Sequence, residues 1–351
     1  MPGQAATPAH PYDLLTPQRV LDTLDAVGLR GDGRLLQLNS YENRVFQVML
    51  EDGSTVVAKF YRPARWRDAQ ILEEHRFARQ LDEQEVPVIA PLALSRDINH
   101  AELTVVAMGE PATLGVAHAP DAEFRFAVYP CRSGHGPELD DPEVLQWLGR
   151  FVGRLHAVGM QAPFVERRTI DAAAFGHDRL AALLTLDALP IEQLDSYPTC
   201  CRAALAQVDA AFAQAGPLRV GRLHGDFHPG NILWRDEGPH VVDLDDCCNG
   251  PAIQDLWMLL SGSRESMRSQ LTWLLEGYAQ FASLDRREIS LIEPLRTLRM
   301  IHHSAWLAER WSDPAFPAAF PWFGSPNYWQ QQTQQLREQI EALSEPPLFS
   351  K

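Results

Sequence analysis

Apolar positions alternate between strand-like and helix-like spacing over the first third of the chain, and helical spacing then takes over. Residues 16–28 open with Thr-Pro, an N-cap followed by proline at the first helical position, and stop at a glycine; the pattern predicts a helix. Residues 35–38 and 44–50 read as strands joined by the polar turn Asn39-Ser40-Tyr41-Glu42-Asn43. The sequence Glu51-Asp52-Gly53-Ser54 then makes a hairpin turn into a strand over residues 55–61, which carries Lys59. An amphipathic helix is expected over residues 68–81, and a further apolar strand over 124–129 ends at Pro130.

Past Pro130 the character changes. Ser133 to Pro137 is a loop, and residues 141–158, 170–186, 200–215, 254–278 and 291–311 read as helices. One β-rich island, residues 219–245, interrupts them. The layout predicts an α+β protein with a small mixed lobe over residues 1–130 and a large, mainly helical lobe over 131–351. At 351 residues the chain exceeds the size at which one core stays efficient, which also points to two lobes.

Composition narrows the function classes. Apolar residues at 45% and charged residues at 22% are ordinary for a soluble globular protein. No stretch approaches the ~20 apolar residues of a membrane span, and the N-terminal residues 1–11 show no basic region followed by an apolar one. A cytoplasmic protein with no membrane partner is expected. The formal net charge of −15 argues against nucleic acid and is compatible with neutral or cationic substrates. Five cysteines, two pairs of them adjacent in sequence, show neither zinc-ligand spacing nor a disulfide framework. Reduced, packed thiols are the simpler reading, for Cys247 and Cys248 included.

The informative segment is His224-Gly225-Asp226-Phe227-His228-Pro229-Gly230-Asn231, followed by Val241-Val242-Asp243. Phosphoryl transfer asks little covalent work of a protein. It needs a carboxylate to orient the attacking hydroxyl, and oxygen ligands to hold Mg²⁺ against nucleotide phosphates. An Asp, an Asn five residues on, and an Asp twelve further at the end of an apolar strand supply these parts. The competing reading, a metallohydrolase built on His224, Asp226 and His228, lacks a distant His-rich cluster to complete a zinc site.

H-G-D-x-H-x-x-N followed by an apolar pair and Asp resembles the catalytic and metal-binding loops of the aminoglycoside/choline-kinase-like branch of the protein-kinase fold. The resemblance implies a bilobal kinase-like architecture, ATP and Mg²⁺ as cofactors, Asp226 as catalytic base or orienter, and Asn231 and Asp243 as metal ligands. It makes His224 a structural member of the loop, and Asp255 a buried carboxylate that opens the next helix and bonds back to that loop. Upstream it implies a phosphate-binding lysine, for which Lys59 on its apolar strand fits. Its acidic partner on the following helix is Glu74 or Glu73. These neighbours point about 100° apart, and Glu74 is the better match with Phe77, Ala78 and Leu81 in phase behind it. The turn at Ser40 to Asn43 replaces a glycine-rich phosphate loop, with Ser40 and Asn43 as candidate donors to the nucleotide; a plain polar hairpin turn is the alternative.

Further stretches, among them residues 38–45, 59–63, 249–257 and 310–317, are similar to bacterial members of this branch assigned as serine/threonine protein kinases. That similarity implies transfer to protein Ser/Thr hydroxyls, autophosphorylation and a role in surviving stress. A small-molecule kinase acting on an amino alcohol, sugar or aminoglycoside needs the same magnesium chemistry, and a nucleotide-binding regulator with little turnover is a third possibility. Residues 306–329 are rich in aromatics that either line an acceptor cleft or pack as core. Asp245 and Asp246 either bind a second ion or a basic acceptor, or form a solvated acidic turn.

Overall fold

A computed structural model describes residues 12–95, 99–100, 103–119, 122–186 and 188–349; the N-terminal stretch over residues 1–11 lies outside the described residues. Contacts divide the chain into two units, Met1–Ser133 and Gly134–Lys351.

In the first unit, α1 (Pro17–Asp25) begins where the Thr16 side chain accepts the Arg19 N–H, with proline at the first helical turn. Val20 and Leu24 point from it into the core. Strands β1 (Gly31–Leu38), β2 (Arg44–Leu50) and β3 (Thr55–Phe60) form an antiparallel meander. The β2–β3 turn has Gly53 at φ +83° and the Ser54 N–H on Asp52 Oδ1. After α2 (Asp68–Glu83) come β4 (Asn99–His100), β5 (Leu103–Met108), β6 (Leu114–Ala119) and β7 (Ala122–Pro130). Together these make one seven-stranded sheet in the order β1-β2-β3-β7-β6-β5-β4. Phe60 anchors its core, with Phe46 edge-on at 6.1 Å and Phe126 stacked at 5.6 Å.

The second unit is mainly helical. Helix α3 (Pro142–Gly159) packs on α7 (Arg264–Tyr278) so closely that a Cβ at Gly149 would lie 2.0 Å from the Leu274 carbonyl oxygen. A π-turn over Ala173–His177 leads into α4 (Asp178–Thr185), and α5 (Ser196–Ala215) follows. The β-rich island resolves into two ribbons. β8 (Gly221–Leu223) pairs with β11 (Cys248–Gly250), and β9 (Ile232–Arg235) pairs with β10 (Gly238–Val241). The expected helix over 254–278 is two helices, α6 (Gln254–Trp257) and α7. Gly262, at φ +84°, and Ser263, whose hydroxyl caps Ser266 N–H, start the second one afresh. The unit closes with α8 (Ile292–Glu309), α9 (Ala315–Ala319) and α10 (Pro326–Ser344).

Of the aromatics in this last region, Phe316, Phe323, Tyr328 and Trp329 are buried and Trp322 is exposed. Trp329 sits edge-on to Tyr197 at 5.0 Å, which ties α10 to α5. Core packing therefore accounts for half of them. Among the described residues no helix is long and apolar enough to cross a membrane.

Candidate active site

Asp226 lies on the irregular loop between β8 and β9, and the loop is held by side chains gripping its backbone. Buried Asp255, on α6, accepts the His224 N–H on Oδ2 and the Gly225 N–H on Oδ1, both at 2.8 Å. His156 on α3 adds a third donor to Asp255, Nε2 at 3.0 Å from Oδ2. Gln254 Nε2 donates to the Gly225 carbonyl at 2.9 Å. Gly225 has φ +85°, and a Cβ there would fall 2.4 Å from the Asp246 carbonyl oxygen, so only glycine fits the turn. His224, fully buried, accepts the Asp226 N–H on Nδ1 at 3.3 Å and donates Nε2–H to the Val242 carbonyl at 3.0 Å.

The backbone segments of the two candidate metal ligands pair beside this loop. Asn231 Nδ2 donates to the Asp226 carbonyl at 3.0 Å, a bond that does not use its Oδ1. The β9–β10 ribbon pairs Ile232 with Val241 and carries the chain back, and Val242 N–H meets the Asn231 carbonyl at 3.0 Å. Asp243 follows immediately, exposed, with φ 62° and ψ 62°. A non-glycine residue in the left-handed region is uncommon and clusters at functional sites. An amide oxygen and an exposed carboxylate form a hard-oxygen set that suits Mg²⁺ with water and phosphate completing the shell. Among the described residues no group of three or more His, Cys, Asp or Glu side chains is arranged to hold a metal. Asp245 is buried with its carbonyl on Arg167 Nη1 at 2.7 Å, whereas Asp246 is exposed. Cys247 and Cys248 are both buried, and burial pushes the Cys248 thiol well up.

Both oxygens of Asp226 are engaged. Arg299, from α8, donates Nη1–H to Oδ1 at 2.5 Å. His228 accepts the Gly230 N–H on Nδ1, so its proton sits on Nε2, 3.3 Å from Asp226 Oδ2. Burial works against ionisation of Asp226, but the His228 hydrogen bond and the Arg299 charge outweigh it and hold the carboxyl well below the usual range. Asp226 is thus a fixed anion, suited to accepting a hydrogen bond from a hydroxyl. Arg299 stands 73 residues away in sequence, and no local pattern marks it. Beside Asp226 opens a cavity of about 350 Å³, whose wall includes His228, Trp257, Arg296, Arg299 and Gln335. None of the aromatics of residues 306–329 lines it.

The first unit carries the other candidates. Lys59 pairs across the sheet with Val45 and Ala127, is 7% exposed, and places Nζ 5.5 Å from the Tyr61 ring and 5.9 Å from the Tyr129 ring. An exposed strand lysine is therefore not what the sheet holds. Glu73 and Glu74 on α2 are both buried, although only one was expected to face inward. Behind the rings, Tyr61 Oη lies 2.8 Å from His75 Nε2 and 3.0 Å from Tyr129 Oη, and His75 Nδ1 lies 2.9 Å from Thr113 Oγ1. This polar chain has no sequence signature. Asn43 is buried, its Oδ1 accepting the Arg62 N–H at 3.1 Å, and Ser40 is half-buried in the same turn.

A seven-stranded sheet unit bearing a buried lysine and a helical unit bearing this loop define a phosphotransferase of the kinase-like class. The chain belongs to the phosphotransferase enzyme family, whose profile matches residues 34–292, and it is a kinase. It is 42% identical over 342 residues to stress response kinase A of Escherichia coli O157:H7, with 97% of each chain covered. To the serine/threonine protein kinase RdoA of Salmonella typhimurium it is 42% identical over 340 residues, again with 97% of each covered. Among solved structures, amicoumacin kinase in complex with AMP-PNP, Ca²⁺ and Ami shares the fold, with a TM-score of 0.69 at 22% identity over 96% of this chain and 95% of that one.

Proposed function

We propose that this kinase transfers the γ-phosphoryl group of ATP, with Mg²⁺, to Ser or Thr hydroxyls of proteins, itself included, in the cytoplasm and as part of a stress response. The observation that carries the reading is the loop: an anionic Asp226 fixed beside Asn231, with Asp243 brought alongside by the β9–β10 ribbon. Asp226 accepts the hydrogen bond of the acceptor hydroxyl and orients its lone pair toward phosphorus. Asn231 Oδ1 and the Asp243 carboxylate are the magnesium ligands. Bound there, the ion supplies charge neutralisation on the phosphate oxygens. Lys59 serves the α- and β-phosphates, with Glu74 or Glu73 orienting it. Ser40 faces the phosphates from its turn, and Asn43 shapes that turn through its bond to Arg62.

Of the two relatives at 42% identity, one is named a serine/threonine protein kinase and the other a stress response kinase, which supports a protein acceptor. Amicoumacin kinase bound to a nucleotide analogue and a divalent ion supports the use of both. The direct test is purified protein with Mg²⁺ and γ-labelled ATP, beside Asp226→Asn. Label on protein Ser or Thr that disappears in the variant is the expected outcome. The cavity favours one other reading, a small-molecule kinase, because about 350 Å³ is the size of a small-ligand site. ATP consumption stimulated by an amino alcohol, sugar or aminoglycoside, with no protein labelled, would select it.

A further inference from the structure

The cavity beside Asp226 has a chemistry that phosphoryl transfer alone does not require. Its wall carries two guanidinium groups, Arg296 and Arg299, with amides from Gln332 and Gln335, and among the described residues no Asp or Glu lines it. On a chain with a formal net charge of −15, a wall free of carboxylates stands apart from the rest. Each guanidinium group is held by an acid of its own. Arg299 meets Asp226 through Nη1, and Arg296 meets Glu293 Oε2 through Nε at 3.1 Å. Glu293 is held in turn by Gln339 Nε2 at 2.8 Å. A guanidinium has five N–H donors in a rigid fork, so each arginine keeps donors beyond its backing carboxylate. Arg299 remains 43% exposed.

The same wall suits a cation poorly. Among the described residues of the wall an amine would meet no acid, and Asp226 beside it is already paired with Arg299. A quaternary ammonium needs an open aromatic face, but Trp257 is only 5% exposed and has the Arg296 guanidinium 5.0 Å from its ring centroid. An acceptor bearing its own negative charge would be repelled by Asp226 alone, and Arg299 offsets that repulsion at the point of contact.

We propose that this cavity binds an anionic group of the acceptor, so that the preferred substrate is a protein Ser or Thr with Asp or Glu close beside it. The inference rests on the protein-kinase reading and adds the acceptor's charge to it. Because Arg299 touches Asp226 directly, the carboxylate belongs about one to three residues from the hydroxyl along an extended chain of ~3.3 Å per residue.

The test compares two peptides of equal length with one Ser each, one flanked by Asp and Glu and one by Arg and Lys, beside a small hydroxy acid. Wild-type kcat/KM should favour the acidic peptide by about tenfold or more. Arg296→Glu should bring that ratio to one or below. Gln335→Glu guards against misfolding of the first variant: its carboxylate can still accept from Gln332 Nε2, as the amide oxygen does now, and only the charge of the wall changes. It should lower the acidic-to-basic ratio several-fold. Equal use of both peptides, or preference for the basic one, overturns the inference while the kinase reading survives. Transfer to the hydroxy acid but to neither peptide overturns the peptide assignment. Absence of transfer to any acceptor, autophosphorylation included, takes down the kinase reading and this inference with it.

Discussion

Lys59 and Asp226 are held in opposite ways. The lysine sits in the middle of a sheet, where strand pairing to Val45 on one side and Ala127 on the other fixes its place. Many equivalent backbone bonds share that task. The aspartate sits on a loop without regular structure, and four side chains hold its backbone: Asp255, His224, Gln254 and Asn231. A site built on register tolerates the loss of one side chain, whereas a site built on single contacts does not. The catalytic loop should therefore be the fragile half of this enzyme.

That contrast can be broken from the chemistry outward. Asp226→Asn should lower kcat by on the order of 10²–10⁴-fold while ATP affinity stays within a few-fold, because in the proposed function the carboxylate serves the acceptor. Substantial residual turnover would remove Asp226 from the reaction. Asp255→Ala leaves the His224 and Gly225 N–H groups and His156 without their partner; it should cost about 3–5 kcal/mol in urea unfolding and most of the activity. A loss of under ~1 kcal/mol would mean that the loop is held by something else. Asp243→Ala should weaken Mg-ATP binding roughly tenfold or more by calorimetric titration, about 1.4 kcal/mol, and unchanged affinity would take it out of the metal site.

The smallest effect concerns Glu288, the outermost link of the network. Its Oε2 accepts the Ile253 N–H just before α6, the helix that carries Asp255. Burial pushes its carboxyl up from 4.5 to about 7. Between those values the folded protein keeps a proton that the unfolded chain has released. The stabilising contribution is thus full below pH ~4.5 and is lost as the pH rises toward 7. Relative to Glu288→Gln, the wild type should lose on the order of 1 kcal/mol in urea unfolding between pH 5 and pH 7.5, a difference that leaves out the opposite pH dependence of buried His302 and His303 common to both proteins. Equal slopes in both proteins would mean that Glu288 titrates normally.

How much was legible follows the same division. Thr16-Pro17, the run 44–50 and the turn at Gly53 encode their structures within a few residues, and the sequence predicts these elements closely. The loop motif is also local, which is why the family resemblance could be read from it. Strands β5 and β6 were not anticipated, since Leu103–Met108 and Leu114–Ala119 lack clean alternation and Gly115 interrupts the second. Their place depends on pairing with β7, which no window of sequence contains. Arg299 and the cavity wall escaped for the same reason, being gathered from α6, α8 and α10. The broken helix at Gly262-Ser263 was different. A glycine followed by a capping serine was a legible stop and start that apolar periodicity obscured.

The imidazole of His224 spans from the Asp226 N–H to the Val242 carbonyl, one residue short of Asp243. A planar ring does not stretch, so it acts as a strut of constant length between the two carboxylate-bearing segments. A shift at one end of the ring is therefore passed to the other, so the segment that bears Asp226 and the one that leads into Asp243 are tied as a single piece.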